Sequence, residues 1–169
     1  MSDETPPPLP PYRVRDKGDA WVFGPAGEKF WGRYGASGLL VWHADLGILL
    51  QHRVAWSHFG DTWGLPGGAR KENESAVDGA LREAQEEAGV PPELVRVLFT
   101  SVLDRGFWSY TTVVAEAIEA FEPVIGDVES VALAWVAVAD VDALPLHPGF
   151  AEAWPGLRAR LSAPPTRSQ

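Results

Sequence analysis

Gly67-Gly68-Ala69-Arg70-Lys71-Glu72-Asn73-Glu74, followed by Arg82-Glu83-Ala84-Gln85-Glu86-Glu87-Ala88-Gly89-Val90, is the stretch that decides how this chain folds. Val77, Ala80, Leu81, Ala84 and Ala88 recur at helical spacing, so Ser75 to Ala88 predicts a helix with one apolar stripe. Asn73 or Ser75 can cap its start, and Ser75 with Asp78 resembles a capping box. Gly89 stands where a helix turns left-handed to stop, and Pro91 and Pro92 prevent continuation. Glu83, Glu86 and Glu87, at i, i+3 and i+4, put three carboxylates on one helical face. Like charges so placed cost a helix a few tenths of a kcal/mol per pair, which hard divalent cations would offset. The plain alternative is a solvated acidic face. Arg82, four residues before Glu86 and four after Asp78, can brace a carboxylate on either turn.

Outward from this helix the signals alternate between strand and helix. Strands are expected at Ala20–Phe23, Ser37–His43, Gly47–His52, Val95–Leu103, Ser109–Glu116 and Val131–Val138, with glycine-, proline- and aspartate-bearing turns between them. A second helix is expected over Phe150–Leu161, kinked or started at Pro155, and a helical turn over Asp140–Leu144. The fold class is α/β or α+β, a mixed sheet with helices packed on it. One domain spans residues 19–161. Residues 1–18, with Pro6-Pro7-Pro8-Leu9-Pro10-Pro11, read as a disordered tail, and 162–169 as a flexible C-terminal tail.

Composition narrows the chemistry. The 169 residues carry a formal net charge of −9, which provides no global basic field for a nucleic-acid polymer. An anionic small molecule is still admissible if cations lie between the two sets of negative charge. The absence of cysteine excludes thiolate nucleophiles, disulfides and cysteine-based metal centres. No apolar run reaches the length of a membrane span, and the proline-rich start lacks the pattern of a secretory signal. A soluble cytoplasmic protein is the expectation.

Gly68, five residues, Glu74, seven residues, then Arg82-Glu83-X-X-Glu86-Glu87-X-Gly89 matches the Nudix box at every defining position. Chance alone would produce it in roughly one chain of this size per million. The chain therefore resembles the Nudix hydrolase superfamily, tightly over 23 residues and loosely over most of the domain. Trp63-Gly64-Leu65-Pro66 is similar to that family's entry to the box, and Ala134–Val138 with Asp140–Leu144 to its late strand and short helix.

This resemblance implies a Nudix α/β/α sandwich, with a mixed β-sheet between helices, that cleaves a diphosphate bond in a nucleotide or nucleotide-like substrate by in-line attack of water. It implies Mg2+, with Mn2+ able to stand in, held by Glu83, Glu87 and the Gly67 carbonyl. Glu86 is either a third ligand or the base, and Glu74 and Arg82 orient the ligands. Arg53, at the end of a strand before the box, is in the place of a phosphate-contacting arginine. Arg70 is a weaker phosphate candidate. Phe59, Trp108 and Tyr110 could stack on a base or sugar. Glu129, and less so Asp127, lies where relatives supply another carboxylate. Lys71 departs from the usual pattern by placing a positive charge where an accessory carboxylate is common. The competing reading is a Nudix-fold nucleotide sensor that binds without cleaving, although such domains typically lose box carboxylates and this box is intact. The aromatic segment Trp21–Tyr34 is suited to a homodimer interface.

Overall fold

The computed structural model describes residues 16–126 and 130–162. Nine strands and two helices follow in the order β1 (Trp21–Phe23), β2 (Lys29–Trp31), β3 (Ala36–His43), β4 (Gly47–Arg53), β5 (Trp63–Gly64), β6 (Gly67–Ala69), α1 (Ala76–Ala88), β7 (Val95–Asp104), β8 (Ser109–Ala117), β9 (Ser130–Val136) and α2 (Pro148–Ser162). Short 3₁₀ turns at Pro92–Leu94 and Val138–Ala143 join them. This is the mixed sheet between two helices that the sequence predicts.

Strand alternation builds the layers. Leu39, Val41, Leu49, Val113 and Ala115 point to the face covered by α1, where they meet Ala80, Ala84 and Ala88. Leu40, Ile48, Leu50 and Val114 point the other way, onto Phe150, Trp154 and Leu157 of α2. β3 is the axis of the sheet, parallel to β8 on one side. Its other edge is divided: β6 pairs with its first half, Ala36–Gly38, and β4 with its end, Trp42–His43. β4 continues away from β3 to pair with β9 and β5. The sheet thus forks, and the stretch quoted above begins in the fork.

Ser75 caps α1, its hydroxyl accepting from the Asp78 amide at 3.1 Å, and Gly89 ends it in the left-handed conformation. Two further carbonyls of the last turn receive amides from a distant segment. Val124 N–H donates to the Ala88 carbonyl and Gly126 N–H to that of Glu87, both at 2.9 Å. A side chain at Gly126 would collide with the Glu86 carbonyl.

Three short strands were not expected from the sequence. β2, β5 and β6 are two or three residues long and owe their form to their partners, not to an alternating pattern. α2 starts two residues earlier than predicted, with Pro148 in its first turn, and it accommodates Pro155. Asp16 to Gly18, assigned to the tail by sequence, form a turn closed by the Asp16 and Asp19 carboxylates, and Gly18 is buried there. Ser162, assigned to the C-terminal tail by sequence, ends α2, and the rest of both expected tails lies outside the described residues.

Candidate active site

The fully buried part of the α1 stripe is made of alanines, with Val77 and Leu81 packed half-buried beside them, and Glu83 and Glu87 share its buried side at 4% exposure each. Alanines let the helix lie close to β3 and β6, which brings the carboxylates against backbone. Glu87 Oε2 accepts from the Gly67 amide at 3.0 Å. A Cβ at Gly68 would fall 2.9 Å from the Glu83 carboxylate, so only glycine leaves room for that side chain. The Glu86 side chain is 49% exposed, on the open side of the same turn.

Arg82 binds the cluster together. Its guanidinium donates to both Glu74 oxygens at 2.8 and 2.9 Å, to Glu83 at 3.0 Å, to Glu86 at 3.4 Å and to the Ala69 carbonyl at 3.2 Å. Of the two i,i+4 pairs open to Arg82, the one with Glu86 is formed, and Glu74 and Glu83 are reached as well. The hydrogen bonds from Arg82 hold the Glu74 carboxyl below its ordinary range against the opposing effect of burial, and the Lys71 amide adds to this at 3.1 Å. Reciprocally, Glu74 keeps the guanidinium charged.

The sequence reading passed over Gly79. A Cβ there would sit 3.0 Å from both the Glu74 carboxylate and the Ser37 hydroxyl, so this glycine makes the space in which Glu74 reaches Arg82. A glycine inside an otherwise strong helix is the signal that could have revealed it.

The other candidates are spread around the fork. Arg53 ends β4 at a bulge and donates through Nε to the His58 carbonyl at 3.1 Å. Phe59 is exposed beside it, in the left-handed region at φ 54°, edge-on to His147 with centroids 4.9 Å apart. Burial, with the positive field of Arg53 and His58, pushes the His147 pKa down to about 4. Arg70 is occupied, donating twice to the Glu74 carbonyl at 3.1 and 2.7 Å, so it braces the loop before α1.

Trp108 stacks on Phe30 at 4.4 Å and donates to the Trp31 carbonyl at 3.2 Å, placing it in the support of the β1–β2 hairpin. Within that hairpin Trp21 packs edge-on to Trp31, so much of the aromatic surface expected at an interface is used inside the chain, while Phe23 stays 67% exposed. Tyr110 runs along the sheet with its hydroxyl beside Gly38. Asp127 and Glu129 lie outside the described residues.

A model of the NUDIX domain matches residues 33–157, a span that contains the fork, the box and both sheet faces. The chain belongs to this family. It is 48% identical over 162 residues to a Mycobacterium tuberculosis protein named "Putative 8-oxo-dGTP diphosphatase 3", covering 90% of this chain and 74% of that one. A Bifidobacterium longum nucleoside triphosphate pyrophosphatase/Nudix hydrolase fusion protein is 42% identical over the same length, which is 34% of that longer chain. The crystal structure of RenU, a Nudix hydrolase from M. smegmatis, superposes with a TM-score of 0.80 at 44% identity, covering 90% of this chain and all of that one. The protein is a Nudix diphosphatase, a hydrolase of acid anhydrides.

Nudix enzymes typically use a divalent metal ion. Among the described residues no three acidic, histidine or cysteine side chains already converge as a cation site. The donor chemistry fits a hard cation all the same. Two buried carboxylates one helical turn apart face glycine backbone, and the set around them offers oxygen without sulfur or imidazole. Among the described residues no helix is long and apolar enough to cross a membrane.

Proposed function

We propose that this Nudix diphosphatase acts on an oxidised purine nucleoside triphosphate of the 8-oxo-dGTP class, releasing the nucleoside monophosphate and diphosphate in the cytoplasm. The observation that carries this reading is the intact, Arg82-centred glutamate cluster in a chain 48% identical to a relative named for that substrate.

Glu83 and Glu87 would hold Mg2+, or Mn2+ in its place, with the Gly67 carbonyl as a further oxygen. Such a cation, when bound, would supply charge neutralisation on the diphosphate and a more acidic attacking water. Glu86, exposed on the open side of the turn, accepts the proton of that water. Arg82 and Glu74 keep the carboxylates aimed, since each is fixed by charged hydrogen bonds before substrate arrives. Arg53 faces the phosphate chain from the far side of the fork, and exposed Phe59 beside it meets the base.

The test is magnesium-dependent turnover of a panel containing 8-oxo-dGTP, dGTP, ADP-ribose, NADH and dinucleoside polyphosphates, with product masses. The expected result is preference for 8-oxo-dGTP and a fall of about 10²–10⁴-fold in kcat for Glu86→Gln, as loss of a general base produces. Preference for ADP-ribose or a dinucleoside polyphosphate would replace the substrate and keep the chemistry. Tight nucleotide binding without turnover would make the protein a sensor.

A further inference from the structure

We infer that Tyr110 is a positioning residue for the Glu87 carboxylate, acting through the paired glycines Gly38 and Gly67. This rests on the assignment of Glu87 as a metal ligand and extends it to a residue outside the box.

Four groups stand in a row. Tyr110, the second residue of β8, lies directly beside Ala36 of β3, and its side chain runs along the sheet to the hollow left by Gly38. A Cβ on Gly38 would collide with the Tyr110 hydroxyl and come within 3.2 Å of the ring carbon that bears it. Gly38 in turn pairs with Gly67 of β6, so closely that a Cβ on Gly67 would fall 2.7 Å from the Gly38 Cα. Gly67 then gives its amide to Glu87 at 3.0 Å. From phenol to carboxylate there is only backbone, and every link is at contact distance. The neighbouring Pro66 carbonyl, 3.3 Å from the same hollow, is tied to β3 by the Leu39 amide at 2.9 Å.

The hydroxyl therefore occupies the space that a side chain would fill at position 38. It sets how deeply β6 can settle onto β3, and hence where the Gly67 amide meets Glu87. Burial, helped by the negative charge of Glu87 and only partly offset by Arg53, pushes the phenol well above its usual range. An ionised tyrosinate would repel the carboxylate it positions. β6 is three residues long and has little hold of its own, which is why a filler behind it matters.

The experiment compares Tyr110→Phe and Gly38→Ala with wild type in three measurements: Mn2+ affinity by calorimetry without nucleotide, kcat and KM on 8-oxo-dGTP, and Tm. Tyr110→Phe keeps the ring and removes only the filler. It is expected to weaken Mn2+ binding about 10-fold, the usual cost of losing a group that orients a metal ligand. kcat at subsaturating metal should fall in step, with KM for nucleotide little changed at saturating metal. Gly38→Ala evicts the hydroxyl but puts a methyl group in its place, so it should lose less Mn2+ affinity than Tyr110→Phe; if that variant does not fold, Tyr110→Phe decides alone. Wild-type Mn2+ affinity in Tyr110→Phe, whatever its Tm, overturns the inference and leaves the proposed function standing. A wild-type protein that binds no Mn2+ removes both.

Discussion

The two faces of the sheet are packed from opposite materials. Against α1 the contacts are alanine on leucine and valine, with no aromatic side chain among the fully buried residues. Against α2 they are Phe150, Trp154 and Leu157 on Leu40, Ile48, Leu50 and Val114. Bulk gives the α2 face more apolar area to remove from water, and so more stability. Small residues give the α1 face a short distance between helix and strands, and so a fixed place for Glu83 and Glu87 against Gly67 and Gly68. One face supplies stability and the other supplies geometry.

The largest effect should come from breaking the bulky face. Trp154 is 1% exposed, and Trp154→Ala is expected to cost about 3–5 kcal/mol in chemical denaturation while the folded fraction keeps its kcat. If kcat of the folded protein fell as well, the separation of roles would be wrong. The tight face should respond in the opposite way. Ala84→Leu is expected to cost about 1–3 kcal/mol through overpacking. It should also lift the carboxylate turn enough to lower kcat about 10²-fold, the penalty of a displacement near 1 Å. Ser75→Ala, which removes the cap of α1 without touching the interface, should cost about 1 kcal/mol and leave kcat nearly unchanged.

The smallest and sharpest contrast is in acid. His147, on the α2 side, has its pKa depressed to about 4, so the unfolded chain takes up a proton first and stability is lost as pH falls from about 6.5 to 4. Glu74, on the α1 side, is depressed from 4.5, so its contribution is present above that value and is lost only below it. Urea denaturation across pH should show an upper shoulder removed by His147→Gln and a lower one removed by Glu74→Gln. A single shoulder abolished by either variant would mean that the two faces titrate as one.

The same division explains what could be read without a structure. α1 is legible because its cap, stripe and stop are local, and its glutamates match a spaced pattern. β3, β4 and β8 are legible as short apolar runs bounded by turn residues, and β7 as a run rich in β-branched and aromatic residues, to within a few residues at each end. β5 and β6 are not, because Trp63–Gly64 and Gly67–Ala69 become strands only through pairing with β4 and β3. Within the site, the residue types carried Arg82 and the glutamates. They could not show that Arg70 turns onto the Glu74 carbonyl, or that Trp108 is used up under the hairpin. Both depend on partners distant in sequence or on a side-chain direction that no local pattern encodes.

The amides of Val124 and Gly126 that close the last turn of α1 have a dynamic consequence. A helix end ordinarily frays by itself, one hydrogen bond at a time. Here the turn that carries Glu86 and Glu87 cannot loosen without also releasing a segment nearly forty residues further along the chain. The two should open as one cooperative unit, with amide protons exchanging at a common rate, slower than the length of the helix alone would allow.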